Sequence, residues 1–283
     1  MAPSAAPTLP APPPDPARLP GAVSRLGQRV QAGLDEARIT IAFVGQVLQG
    51  VGRLLRGRSG LRRSDLLRQI DLTGPMSLPI VSLTCALVGL MLGYMGGAQL
   101  QRMGAEIYIA DIVTVGMVRE LAGLMTGMIL AGRVGASFAA QLGSMQAGEE
   151  IDALRVLGVN PIDHLVMPRL LALVMVAPLI MAYTALVGVL AGLVPATLVY
   201  GVPAAEYLNR CVQALTWTHL WIGVFKCTLY AALLALAGCR EGLHAGRDAQ
   251  AVGVATTAAV VKGLVWIIVA ACATTVMLQS LGF

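Results

Sequence analysis

Four charged residues interrupt segments of the chain that are otherwise apolar. Arg119 and Glu120 lie near one end of the stretch 111–142, Arg133 lies near its other end, and Lys226 falls inside a later stretch at 219–238. An ionisable side chain at membrane depth is costly and usually faces a cavity or a partner charge. Two interpretations stay open: Glu120 and Lys226 face a path for a ligand, with Lys226 meeting an anionic group such as a phosphate, or Glu120 pairs with Arg119, Arg133 or Lys226 and only locks helices together.

A second set of candidate residues lies in the polar stretch 143–164, where Gly148 and Gly158 bracket a short predicted helix that Asn160–Pro161 ends. Its first turn is acidic, which the helix dipole favours, and every third residue is apolar. The acidic residues are Glu149, Glu150 and Asp152, and the apolar ones are Ile151, Leu154 and Leu157. A partner protein or the bilayer surface could cover this apolar face. The acidic residues favour the protein, because the cytoplasmic leaflet is itself negative.

Motifs for catalysis and metal binding do not accompany these residues. The two lysines precede Cys227 and Gly263, so neither belongs to a Walker A phosphate-binding loop, and the chain has no GxSxG or HExxH motif. The three histidines show no metal-ligand spacing. We therefore expect a non-catalytic chain with no metal or cofactor of its own. The net charge of +5 indicates lipid head groups as partners and not nucleic acid, because the basic residues flank apolar segments.

The elements that carry these residues are membrane spans. Hydrophobic residues make up 57% of the 283 residues and charged residues 12%, against roughly 25% in soluble domains. Apolar segments at about 76–98, 111–142, 166–200, 219–238 and 257–281 are each long enough to cross a bilayer. The predicted fold is an all-α integral membrane protein with about five transmembrane helices. Lys262, early in the last segment, is expected to snorkel to the cytoplasmic face.

The region before these spans differs in composition. Residues 1–20 are rich in Pro and Ala and predict a disordered cytoplasmic tail. Residues 21–74 predict a basic amphipathic helix in the membrane interface followed by a basic linker, and residues 75–283 form the transmembrane domain. The alternative is that 39–55 crosses the membrane as a sixth span.

Charge and glycine patterns predict how the spans are arranged. With the N-terminus inside, fourteen basic residues fall in cytoplasmic segments and two in external ones, which places the C-terminus outside. Glycines recur four residues apart, a spacing that lets membrane helices approach closely. These glycines are Gly89, Gly93 and Gly97, then Gly123 and Gly127, then Gly188 and Gly192.

The run from Arg119 to Ala172 resembles the signature region of the Mla-type (YrbE-type) permeases. These are the membrane subunits of ABC transporters that handle phospholipids and other lipids with mammalian-cell-entry (MCE) proteins. The resemblance rests on AGRVG at 131–135, EEIDAL at 149–154 and PR at 168–169, with SLPIV at 77–81 and GVFK at 223–226. It covers roughly residues 65–283.

The resemblance implies a function and a set of partners. It makes Glu149–Leu157 the coupling helix that docks on a cytoplasmic ATPase, which binds the ATP and Mg²⁺. It further implies a homodimer in the bacterial inner membrane, a ring of MCE proteins outside, and a lipid cavity between the two copies. The alternative is a stand-alone secondary transporter or a membrane-embedded lipid enzyme. The lipid and the direction of transport stay open.

Two positions depart from the family pattern. Gly123 stands where the family usually has the proline of RELGP, which puts a kink there in doubt. Gln141 stands where the family usually has the glutamate of AAELG. Any role that requires a carboxylate at position 141 is therefore lost in this chain.

Overall fold

A computed structural model describes residues 22–56 and 63–282, and within these two ranges the chain forms eleven α-helices and no β-strand. The chain divides into two compact units, one that ends at Phe43 and one that begins at Val44. The predicted tail at 1–20 and residues 57–62 of the predicted basic linker lie outside the described residues.

Five of the described helical segments are long and apolar enough to cross a membrane. They are span 1, Ser64–Gln101; span 2, Glu106–Ala147; span 3, Ile162–Leu198; span 4, Trp217–Leu243; and span 5, Ala249–Ser280. The prediction of an all-α membrane protein with five spans is confirmed. Each helix is longer than its predicted apolar segment, because the helices continue into polar flanking sequence.

The first helix, α1 (Ala22–Leu55), belongs partly to each unit and is not among the five candidate spans. Its sequence mixes charged and polar residues with apolar ones along all 34 residues, and Val30 and Leu34 are both exposed. By length and composition, α1 therefore does not count as a candidate span, and the five spans do not include 39–55. That α1 lies in the membrane interface remains a prediction.

The spans are built from helices with short irregular turns. Span 1 contains α2 (Arg63–Thr73), a 3₁₀ turn (Pro75–Ser77) and α3 (Leu78–Gln101). Span 2 contains α4 (Ile109–Gly116), α5 (Ala122–Leu130) and α6 (Ala136–Ala147), separated by two π-helical turns, Met117–Leu121 and Ala131–Gly135. Span 3 begins with a π-helical turn, Ile162–Val166, and continues as α8 (Met167–Leu198). Spans 4 and 5 are α10 (Trp217–Leu243) and α11 (Ala249–Ser280), and two short helices lie between spans, α7 (Glu150–Val156) and α9 (Ala204–Ala214).

Glycine contacts set the distance between α3 and α8. A Cβ atom added to Gly89 would lie 2.0 Å from the carbonyl oxygen of Gly188, and one added to Gly93 would lie 2.9 Å from Cγ of Pro195. The two backbones therefore touch, as the glycine spacing predicts. Around Gly123 the fit is looser, since a Cβ there would meet Cys227 of α10 at an ordinary 3.5 Å.

The outward faces of α3 and α11 are apolar. Large side chains on both helices are exposed, and among them are Leu83, Leu87, Met91, Val265, Ile268 and Val269. The middle of α8, in contrast, is largely buried and contacts α3, α5 and α10. An apolar exterior around a partly polar interior is what a bilayer requires of a helical bundle.

Candidate functional site

A buried ion pair joins spans 2 and 4 and is capped by span 5. The ammonium of Lys226 donates to both carboxylate oxygens of Glu120, at 2.5 and 2.6 Å, and to the hydroxyl of Thr275 at 2.9 Å. Thr275 in turn donates to the Glu120 carboxylate at 3.2 Å. We call Glu120, Lys226 and Thr275 the Glu120 cluster. Its lysine is 1% exposed, whereas the glutamate is partly open.

Backbone geometry brings these side chains together. Glu120 lies on the π-helical turn Met117–Leu121, and such turns insert an extra residue that redirects the side chains of a helix. Three residues before Lys226, Gly223 packs directly on this turn, because a Cβ at Gly223 would lie 2.2 Å from the carbonyl oxygen of Val118. Only glycine permits that approach, so α10 can present Lys226 to Glu120 at hydrogen-bond distance.

The two arginines predicted for this site behave differently. Nε of Arg119 lies 3.7 Å from the Glu120 carboxylate, at the edge of the cluster. Arg133 lies thirteen residues farther along span 2, about 20 Å away by helical rise, and makes no ion pair with a described residue. The structure therefore unites Arg119, Glu120 and Lys226 and leaves Arg133 apart. Thr275 was missed, because a threonine in an apolar helix carries no distinguishing signal.

The hydrogen bonds of the Glu120 cluster limit how Lys226 could bind a phosphate. Glu120 already occupies two of the hydrogen-bond positions of the ammonium group, and Thr275 occupies the third. An incoming anion therefore has to displace the carboxylate or approach through its open side. The cluster can act as a helix lock, as a gate that an anion opens, or as both.

The polar stretch between spans 2 and 3 forms the predicted short helix. Helix α7 begins after Glu149, whose φ of 59° is left-handed, and ends before Gly158, whose φ is 75°. The amides of Gly158 and Val159 donate to the carbonyl oxygens of Arg155 and Leu154, both at 3.0 Å, which is the Schellman arrangement of a helix end. The glycine cap is confirmed, and α7 is slightly shorter than the predicted 149–157.

The predicted apolar face of α7 is only partly available to a partner. Ile151 is fully buried within the chain and Leu154 is half-buried, so at Ile151 the chain itself covers the face that the sequence analysis left to a partner protein or the bilayer. The reason is that the first turn of α7 packs on α6. Leu157 is 75% exposed, and Val156, which the sequence analysis did not single out, is 88% exposed.

The acidic residues of α7 connect it to the loop between spans 4 and 5. Arg247 of that loop lies 3.5 Å from the carboxylate of Glu149 and donates to that of Asp152 at 3.0 Å. Asp152 also accepts from Arg155 at 2.9 Å. Glu150 is exposed and makes no ion pair with a described residue. The two loops therefore lie at the same end of the bundle, and α7 is attached to both.

Residues 66–277 match the family described as Permease MlaE. The chain belongs to this family of permeases. It is 34% identical over 252 residues to a probable ABC transporter permease protein of Synechocystis sp., covering 87% of this chain and 93% of the relative. A probable ABC transporter permease protein of Rickettsia typhi is 33% identical over 206 residues, which cover 73% of this chain and 80% of the relative.

A plant protein is also similar to this MlaE-family permease. The chloroplastic protein TRIGALACTOSYLDIACYLGLYCEROL 1 of Arabidopsis thaliana is 33% identical over 222 residues, which cover 78% of this chain and 63% of the plant protein. Five apolar spans and this membership together identify a multi-pass membrane protein that serves as a transport subunit. Helix α1 precedes the matched residues.

Two further ion pairs of the MlaE-family permease involve long basic side chains. Lys262 lies well inside α11, because that helix begins at Ala249, and its ammonium lies 3.0 Å from the Glu241 carboxylate of α10. Glu241 lies in the last turn of α10, so this ion pair is compatible with the expectation that Lys262 snorkels, which remains a prediction. Arg53 donates to Asp163 at 2.6 Å, and this hydrogen bond raises the pKa of the Arg53 guanidinium. It holds residues 44–55 of α1 against the start of span 3.

Proposed function

We propose that this MlaE-family permease is the membrane subunit of an ABC transporter that moves phospholipid or a related lipid. In this proposal the lipid passes between the bacterial inner membrane and MCE proteins, and a separate ATPase hydrolyses the ATP with Mg²⁺. The observation that carries the proposal is the structure of α7, a short helix between two spans. Ile151 is buried within the chain, and the apolar residues Val156 and Leu157 are exposed.

The two ends of α7 suit it to transmit force. Ile151 and the Arg247 ion pairs attach it to the bundle, while Val156 and Leu157 offer an apolar contact to a partner. A partner that grips the exposed residues moves the buried one, because packed interiors transmit displacement with little compression. We assign the exposed end of α7 to a groove on the ATPase.

The assembly we propose contains two copies of the permease and two ATPase subunits. Closure of the ATPases on ATP would bring the two α7 helices together and change a lipid cavity between the two permeases. The N-terminus would be cytoplasmic and the C-terminus outside, as the distribution of basic residues favours. The shared end of α7 and Arg247 supports this arrangement, since both loops are cytoplasmic in it.

Two observations support a lipid as the transported substrate. The Arabidopsis relative bears the name of a galactosylated diacylglycerol, a membrane lipid. The Glu120 cluster places a buried ammonium group behind a partly open carboxylate within the spans, where a phosphate head group could compete for it. We propose that Glu120 and Lys226 line the lipid path and that Arg119 lies at its edge.

Substitution of the exposed residues of α7 tests the coupling assignment. We expect Val156→Glu combined with Leu157→Glu to reduce the co-purifying ATPase at least about tenfold, because two charges would be buried in an apolar contact. These residues are better targets than Glu149 or Asp152, whose reversal would also break the internal pairs with Arg247. The measurement is the ATPase-to-permease ratio after affinity purification of the membrane complex.

Val212→Glu is the matched control. Val212 lies on α9, outside the spans, and is 75% exposed, the same fraction as Leu157. This variant should retain the wild-type ratio. An intact complex in the double variant of α7 would overturn the coupling assignment.

A further inference from the structure

A buried arginine near the α7 end of the bundle has no acidic partner in the part of the chain that the structure describes. Arg169, in the first turn of α8, is 6% exposed and lies over the ring of Phe138, with Cζ 5.9 Å from the ring centroid. Its guanidinium donates to the carbonyl oxygen of Leu165 at 2.7 Å and to the amide oxygen of Gln141 at 3.1 Å. Both acceptors are neutral, and the third nitrogen, Nε, has no hydrogen-bond partner among the described residues.

A positive charge in this position calls for an anion. A buried ion without a counter-charge is strongly unfavourable, and one neutral carboxamide does not offset its lost hydration. A glutamate at position 141 would neutralise Arg169 within the chain, but this chain has Gln141. No described carboxylate forms an ion pair with Arg169. The missing negative charge therefore has to come from outside the described residues.

The residues beside Arg169 form a cavity of about 550 Å³, which polar side chains line together with Leu72, Ala140 and Met145. Arg68 and Gln69 of α2 line it from one side, and Gln141 and Ser144 of α6 line it from the other. Arg68 is exposed and has no acidic partner among the described residues, and Oε1 of Gln69 has no partner either. Rotation of the Gln69 carboxamide by half a turn exchanges the positions of its oxygen and nitrogen. Gln69 can therefore also donate a hydrogen bond into the cavity.

We propose that this cavity binds a phosphate group, either the head group of an anionic phospholipid or a free phosphate. Two guanidinium groups, carboxamides and a hydroxyl match the several acceptor oxygens and the charge of a phosphate, and arginine binds phosphate in bidentate geometry. Arg169 supplies the buried charge and Arg68 the exposed one. The cavity lies about 30 Å from Glu120 along span 2, so it is a second site and not part of the Glu120 cluster.

The test measures binding to the purified full-length chain after lipid removal in detergent. The probes are phosphatidylglycerol, diacylglycerol without a phosphate, and inorganic phosphate, with native mass spectrometry and the unfolding midpoint as readouts. We expect phosphatidylglycerol to bind and diacylglycerol to bind at least about tenfold more weakly. If inorganic phosphate displaces the lipid completely, the ligand of the site is a free anion. If inorganic phosphate does not displace the lipid, the ligand is a lipid head group. Both outcomes support a phosphate site on the chain, and the variants below decide between the Arg169 cavity and the Glu120 cluster.

Three variants make the test specific. Gln141→Glu should weaken phosphatidylglycerol binding about tenfold while keeping or raising the unfolding midpoint without lipid, because the new carboxylate pairs with Arg169. Arg68→Gln, at an exposed position that does not endanger folding, should weaken binding about fivefold. Gln101→Glu is the control for Gln141→Glu, because it makes the same substitution at the end of span 1 far from Arg68. It should leave binding unchanged.

The binding experiment needs neither ATP nor a partner, so its outcome is independent of the proposed transport. The inference is overturned if diacylglycerol binds as tightly as phosphatidylglycerol. Wild-type affinity in Gln141→Glu would also overturn it, as would the absence of binding by both the phospholipid and inorganic phosphate.

Discussion

The Glu120 cluster shows how a single lysine is accommodated within an apolar bundle. Lys226 is removed from water almost completely, which for an isolated ammonium is strongly unfavourable. Three acceptor oxygens from Glu120 and Thr275 satisfy its three donors, and the carboxylate balances its charge. Removal of either charged partner leaves the other uncompensated, so the pair stabilises the fold whether or not it also contacts lipid.

A charge swap separates the structural role of the pair from its transport role. Lys226→Met alone should lower stability by about 2 kcal/mol, less than a fully buried pair would, because Glu120 is partly open to solvent. Glu120→Lys combined with Lys226→Glu should restore much of the unfolding midpoint, since it restores opposite charges. We expect lipid transfer to stay low in the swapped protein, because the cation has moved. Wild-type lipid transfer by the swapped protein would show that the Glu120 cluster only holds the helices together.

Sequence reasoning identified the charged members of these sites but few of their partners. Arg119, Glu120 and Lys226 are conspicuous because charge is rare within apolar segments. Their pairing depends on tertiary structure: Lys226 lies 106 residues from Glu120, and Thr275 lies 155 residues from it. Arg247 escaped notice for the same reason, since its partners on α7 lie 95 or more residues away.

At the scale of elements, close packing of α3 on α8 is the feature most sensitive to single substitutions. The Gly89 position faces the backbone of Gly188, and no side-chain rotation can relieve a clash with a carbonyl oxygen. The remaining contacts between these helices also depend on this separation, because lipid provides no hydrophobic drive to hold helices together.

Gly89→Ala should therefore destabilise the protein by about 3 kcal/mol or more, because overpacking forces the two helices apart. The control is Gly96→Ala in the same helix, where the added Cβ would lie 3.7 Å from Ile112, an ordinary contact. The measurement is the thermal unfolding midpoint in detergent for the two variants beside wild type. Equal midpoints in both variants would show that α3 and α8 are not packed as described.

Helix α7 illustrates which parts of an element local sequence determines. Its end was predictable, because a glycine with positive φ followed by Asn160–Pro161 stops a helix by local geometry. The burial of Ile151 and the exposure of Val156 were not, because they depend on where α6 places the first turn. A three-residue periodicity in two helical turns does not specify which of its members faces the chain.

At the scale of the whole molecule, composition was sufficient to predict five spans, because the need for long apolar helices leaves few other folds. Span lengths were underestimated, since apolar composition marks only the part in hydrocarbon. The arrangement of spans around α8 required the glycine and ion-pair contacts. In the assembly we propose, α7 receives the force, the spans carry it, and the Glu120 cluster lies on the path of the lipid.

Lipid transfer by the reconstituted complex tests this account most directly. The permease would be placed in liposomes with its co-purified ATPase, and the release of fluorescent phospholipid to an MCE acceptor would be followed with ATP, without ATP, and with the Val156→Glu, Leu157→Glu variant. We predict transfer that requires ATP and falls at least about tenfold in the variant. Equal transfer by the permease alone, without ATP or ATPase, would contradict the account and identify a stand-alone transporter.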